Sequence, residues 1–152
     1  MSQATFYLLH CDATKTAENQ IIDSACQLTY DYYKNNQLIY IHCQNKQQAF
    51  AIDEMLWQFE PDSFVPHNLK GEGPAFGAPV EIGFDQSGPN KNRKVLINLA
   101  DQCPSFAVNF GHIIDFVASD DAMKAIARER YKQYRTMGIK LATQNLATSP
   151  II

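Results

Sequence analysis

The chain has 152 residues, 45% hydrophobic and 19% charged, which suits one compact domain and excludes a disordered chain. Its net charge of −3 gives no global case for nucleic-acid binding. No signal peptide is expected ahead of the first strand-like run, and no apolar run is long enough to span a membrane. The four cysteines, Cys11, Cys26, Cys43 and Cys103, are scattered without a CxxC pair, which predicts reduced thiols in the cytosol.

In chain order, "ATFYLLH" (4–10) reads as a short buried strand. From Thr16 to Asn35 the apolar positions Ile21, Ala25, Leu28 and Tyr32 recur at helical spacing, widened by Ile22, Cys26, Thr29 and Tyr33. "QLIYIHC" (37–43) is a second strand and 46–59 a second helix. The stretch 63–82 reads as loop ending in a short strand at Val80–Ile82. "KVLINL" (94–99) and "HIIDFV" (112–117) are further strands, with a short helix over 104–110 between them. Ser119 or Asp120 caps a last helix that stops near Gly138. The alternation predicts an α/β fold: a single domain over 1–140, Rossmann-like, with a mostly parallel sheet and helices on both faces. Residues 141–152 are polar, contain a proline and are expected to form a mobile tail.

Chemistry is sparse. His10-Cys11 and His42-Cys43 end the first two strands, and His with Cys is zinc chemistry. Side chains alternate faces along a strand, however, and no familiar ligand spacing accompanies them, so a metal is not expected. "GEGP" (71–74) is the one glycine-rich piece. Glu72 repels a phosphate there and Pro74 lacks an amide to bind one. His67 with Glu72 or Asp62 could make a base and its orienting group, but no nucleophile accompanies them. Neither catalysis nor a cofactor is expected.

Two faces suit partners instead. On the second helix Ala49, Ile52, Met55, Leu56 and Phe59 form one stripe, and Phe50 and Trp57 another about 100° away. The second stripe is either wide burial against the sheet or an interface anchored by Trp57 with Phe64 and Pro66. On the last helix Lys124, Arg128, Tyr131 and Arg135 fall within about 60° of one another, with Lys132 flanking. Met123, Ile126, Ala127, Tyr134 and Met137 lie on the other side and are expected to pack on the sheet. Residues 124–140 hold six cations against Glu129 alone, a balance of +5, so the remainder of the chain carries −8. The ridge is either a solvated face or a site for an acidic peptide or a nucleic-acid strand. Arg130 falls on the apolar side and must snorkel or pair with an acid.

"ATFYLL" (4–9), "SFVPHNLKGEGPAFGAPVEI" (63–82) and "ARERYKQYRTMGI" (127–139) together resemble the chi subunit of bacterial DNA polymerase III holoenzyme. The resemblance runs from the first strand to the last helix and is weakest over 10–37 and 83–112. It implies a non-catalytic, cytoplasmic clamp-loader accessory subunit that pairs with the psi subunit and binds the acidic C-terminal tail of single-stranded DNA-binding protein. That tail ends in a Phe with a free carboxylate after several aspartates. The family supports the ridge as its site: Arg128 for the terminal carboxylate, Lys124, Lys132 and Arg135 for the aspartates, Tyr131 and Val117 beside the ring. The psi-facing surface carries over onto Trp57, Phe64, Pro66 and His67, a face that a repair helicase uses in some members. DNA contact is then mainly indirect. Direct single-strand DNA binding and a small α/β nucleotide-binding domain are the alternatives.

Overall fold

The computed structural model describes residues 2–10, 14–58, 65–71, 78–89 and 93–145. The strands are β1 (Gln3–Leu8), β2 (Ile39–His42), β3 (His67–Leu69), β4 (Val80–Gly83), β5 (Val95–Asn98), β6 (His112–Val117) and β7 (Lys140–Asn145). The helices are α1 (Ala17–Lys34), α2 (Lys46–Gln58) and α3 (Asp121–Thr136), with a 3-10 turn over Ser105–Asn109. The strands form one sheet in the order β3-β4-β2-β5-β6-β1-β7. Every pairing is parallel, so the chain has the expected α/β fold.

Period-two alternation divides the sheet between two apolar clusters. Tyr7, Ile39, Ile41, Val80, Ile82, Val95, Ile97, Ile114 and Phe116 meet Ala25, Leu28, Ile52 and Leu56 from α1 and α2. Ala4, Phe6, Tyr40, Leu96 and Ile113 face the other way, under Ala127 and Tyr134 of α3 and Phe106 of the 3-10 turn. Ile52 and Leu56 are at most 1% exposed. Burial of side chains of that size contributes roughly 1.5–3 kcal/mol each. Helix ends follow local chemistry. The Thr16 hydroxyl accepts from the Asn19 amide at 3.1 Å and the Asp120 carboxylate from the Met123 amide at 3.0 Å. Gly138, with φ 82°, ends α3 in a conformation that favours glycine.

Two strands depart from the sequence expectation. The loop over 63–82 contains β3, which pairs with β4. The boundary at residue 140 does not end the sheet: Lys140–Asn145 is β7, hydrogen-bonded along β1. Residues 146–152 lie outside the described residues.

One polar group sits at the heart of the second cluster. Asp115 on β6 is fully buried, and burial pushes its carboxyl up from the usual carboxylate range while Arg130 pulls it back. Arg130 Nε donates to both carboxylate oxygens at 3.0 Å. Nη2 lies 2.9 Å from Oδ1 and donates to the Phe116 carbonyl at 3.0 Å. The Tyr134 hydroxyl donates to Oδ2 at 3.0 Å and the Phe116 amide to Oδ1 at 2.7 Å. Arg130 thus pairs with an acid, as its place on the apolar side of α3 requires.

Arg130→Ala strands the Asp115 carboxylate and is expected to lose about 3 kcal/mol or more of stability in urea unfolding. The double variant Asp115→Leu with Arg130→Met is expected to lose less than the sum of the two single changes. Additivity would show that the pair does not act as a unit.

Candidate functional site

The ridge of α3 owes its orientation to what the opposite arcs of the helix touch. Ala127, Arg130 and Tyr134 are buried against the sheet. Gln133 lies about 180° from Lys124 on the helical wheel. Its side-chain oxygen accepts from the Cys103 amide at 3.0 Å, just beyond β5. Lys124, Arg128, Tyr131 and Arg135 therefore face the opposite way, towards β1 and β7. Tyr131 shows this directly: its ring centre is 5.5 Å from that of Phe6 on β1, tilted at 54°. Val117, at the end of β6, and Leu141, on β7, are half-buried in the same cluster.

Arg128, Lys132 and Arg135 are exposed and Lys124 is half-buried. Lys132 Nζ lies 3.5 Å from Glu129 Oε1, an exposed pair worth little. Among the described residues no carboxylate comes within ion-pair distance of Lys124, Arg128 or Arg135. The site is a row of cations beside a shallow apolar step made by Tyr131 and Val117. It suits a ligand with several negative charges and one apolar group. Ile126 departs from expectation: it is exposed, because Ala127, Arg130 and Tyr134 already fill the arc that meets the sheet.

The second face lies on α2. Phe50 and Trp57 are 47% and 59% exposed, which decides the open question of their stripe in favour of surface. Lys46 Nζ sits over the Phe50 ring at 5.5 Å from its centre. Trp57 stands edge-on to the His67 imidazole at 4.9 Å. His67, expected on the partner-facing surface, is buried behind Trp57 instead. Its Nδ1 bonds the Val65 carbonyl at 2.7 Å and its Nε2 lies 3.2 Å from Asp53 Oδ1. The imidazole braces β3 against α2 and sets the plane on which the indole rests. Asp53 is not among the sequence candidates because a lone acid on a helix carries no local signal. Pro66 is half-buried beside His67; Phe64, with Phe59, Asp62 and Glu72, lies outside the described residues.

The remaining candidates separate. β5 and β6 stand between β1 and β2, so the strands ending at His10 and at His42-Cys43 are about 14 Å apart. Cys11 lies outside the described residues, and among those described no group of three His, Cys, Asp or Glu could hold a metal. His42 is buried, and burial lowers its pKa to about 4. At the carboxyl ends of the strands, where α/β folds bind nucleotides, lies a cleft of about 400 Å³. It is lined by Glu18, Asp101 and the amides of Gln44, Asn45, Gln47 and Gln48, with no cation among its described residues to meet a phosphate. Among the described residues no helix is long and apolar enough to cross a membrane.

The family described as DNA polymerase III chi subunit, HolC, matches residues 1–142. The DNA polymerase III subunit chi of Escherichia coli is 41% identical over 143 residues, covering 94% of this chain and 97% of the relative. That of Haemophilus influenzae is 43% identical over 143 residues, covering 94% and 96%. That of Pseudomonas aeruginosa is 31% identical over 146 residues, covering 96% and 98%. Among solved structures, T4 UvsW superposes with a TM-score of 0.57 at 11% identity, over 95% of this chain and 41% of that one. That likeness concerns the fold alone.

Trp57 is the only tryptophan, so its fluorescence reports on the brace. His67→Ala is expected to add a fast component to the Trp57 anisotropy decay in a folded protein. An unchanged decay would mean that the imidazole does not position the indole.

Proposed function

This chain belongs to the DNA polymerase III chi subunit family, and on that premise we propose that it is a non-catalytic, cytoplasmic adaptor bridging the psi subunit and the acidic tail of single-stranded DNA-binding protein. Membership makes it a DNA-replication protein with a polymerase holoenzyme as partner. The observation that carries the finer reading is the α3 ridge, whose cations lie on the β1 and β7 side of the helix beside a half-buried tyrosine. Arg128 takes the terminal carboxylate of the tail through two nitrogens. Lys124, Lys132 and Arg135 attract its aspartates, and the terminal Phe ring rests on Tyr131 and Val117.

Direct stacking of single-stranded DNA on Tyr131 fits less well. The chain carries a net charge of −3, whereas single-strand platforms sit in a positively charged groove that tracks the backbone. The psi subunit is assigned to the Trp57 face. A large exposed indole on a rigid support is the kind of anchor that dominates interface energies. Pro66 flanks it, Phe64 is proposed as a further psi-binding residue, and the same face is proposed for the repair helicase that some members bind.

A fluorescent acidic peptide ending in Phe is expected to bind the wild-type protein and to bind Arg128→Ala about tenfold more weakly, a loss near 1.4 kcal/mol. Binding is expected to weaken further as salt is raised. Equal affinity for the two proteins would remove the ridge from the reading, and binding of oligo-dT in place of the peptide would favour DNA. On the other face, Trp57→Ala is expected to abolish co-purification with psi while leaving the thermal midpoint within a few degrees. Survival of that complex would move the psi interface elsewhere.

A further inference from the structure

The sheet has two edges, and they are built differently. β3 is three residues long and flanked by Pro66, the kind of short edge that resists pairing with another chain. β7 is six residues, Lys140–Asn145, without proline or glycine, and Lys140 at its start is its single charge. The middle of the strand, Leu141–Gln144, holds no charge to blunt the edge. The direction of its backbone groups follows from one bond. The Lys140 amide donates to the Ser2 carbonyl at 3.2 Å, towards β1. By the two-residue period of a strand, the amides and carbonyls of Leu141, Thr143 and Asn145 point away from β1, to the side where no described strand pairs.

That open side lies below the cationic ridge. Tyr131 and Leu141 share one cluster, and Gln133 on the opposite arc of α3 points back to Cys103. We infer that the outer edge of β7 receives the acidic tail as an eighth, parallel strand, with the ridge holding its charges from above. The inference rests on the proposed function and specifies how that ligand is held. α3 follows β6 and leads into β7, so it runs opposite to the strands. A peptide with its carboxylate at Arg128 and its nearest aspartates at Lys132 and Arg135 runs opposite to α3, with Lys124 one turn beyond its end as a longer-range attractant. Its direction is therefore that of β7, which continues the all-parallel sheet. The aspartate segment lies about 4.8 Å beyond β7, and the terminal Phe leaves the strand and crosses back over β7 and β1 to Tyr131 and Val117. The backbone supplies affinity that does not depend on charge, and the ridge supplies selection for acids.

Thr143→Pro tests this, because it removes an outward amide without touching the bonds to β1, and proline is tolerated on an edge strand. The wild-type protein and the folded variant are titrated with the acidic peptide ending in Phe. The peptide is then remade with alternate backbone amides N-methylated and titrated against the wild type. Both changes are expected to weaken binding about fivefold or more, the size of a lost hydrogen bond. The loss is expected to persist at high salt, unlike that from Arg128→Ala. If Thr143→Pro does not fold, the N-methylated peptide decides alone. Wild-type affinity for the modified peptide overturns the inference while leaving the ridge reading intact. No binding of the unmodified peptide to wild type overturns both. A concentration-dependent dimer without peptide, lost in Thr143→Pro, overturns it by giving the edge to a second copy of the chain.

Discussion

The contact on which the proposed functional surface depends is buried. Asp115 on β6 takes Arg130 and Tyr134 from α3, and Asn98 on β5 donates to the same tyrosine hydroxyl at 3.1 Å. These contacts fix the roll of α3 about its own axis. A helix held only by apolar side chains can turn by some tens of degrees with small loss, since hydrophobic contact has no direction. A carboxylate gripped by a guanidinium and a phenol in low dielectric does not allow that. The roll fixed in this way leaves Arg128 and Arg135 in solvent and lays Tyr131 against Phe6.

The second face repeats the arrangement at the other end of the sheet. His67 is buried between Asp53 and Val65 and presents its ring to Trp57. An exposed indole would otherwise lose rotamer freedom on binding, and holding it beforehand reduces that loss. In both places a buried polar side chain fixes an exposed group, His67 the Trp57 indole and Asp115 the ridge of α3. The two faces lie on opposite sides of the sheet, α2 near β3 and β4, α3 over β6, β1 and β7. Six strand spacings of about 4.8 Å put the two edges about 29 Å apart.

Much of this is legible from sequence where one rule acts alone. "HIIDFV" is a short run rich in apolar and β-branched residues, and β6 has the boundaries that run implies. Arg130 is recognisable as a residue in need of an acid, although periodicity does not say that the acid is Asp115, fifteen residues earlier. Other features depend on packing that local patterns do not encode. β3 is three residues inside a proline- and glycine-rich stretch, and β7 reads "KLATQN", too polar to resemble a buried strand; each exists because a neighbouring strand offers its edge. Ile126 and His67 fail in opposite directions. The apolar residue is outside because its arc is already filled, and the polar one inside with its Nδ1 bonded to the Val65 carbonyl and its Nε2 3.2 Å from Asp53. Phe50 and Trp57 fit core and surface equally until the sheet shows which arc of α2 it uses.

If chi-family membership is expressed here as an adaptor with two separate faces, the decisive quantity is the coupling between partners. The affinity of the acidic peptide is to be measured for the chain alone and for its complex with psi, at one ionic strength. The account predicts the same dissociation constant within about twofold, because no interface contact is shared. Competition, with the peptide displaced as psi is added, would contradict it and place both partners on one surface.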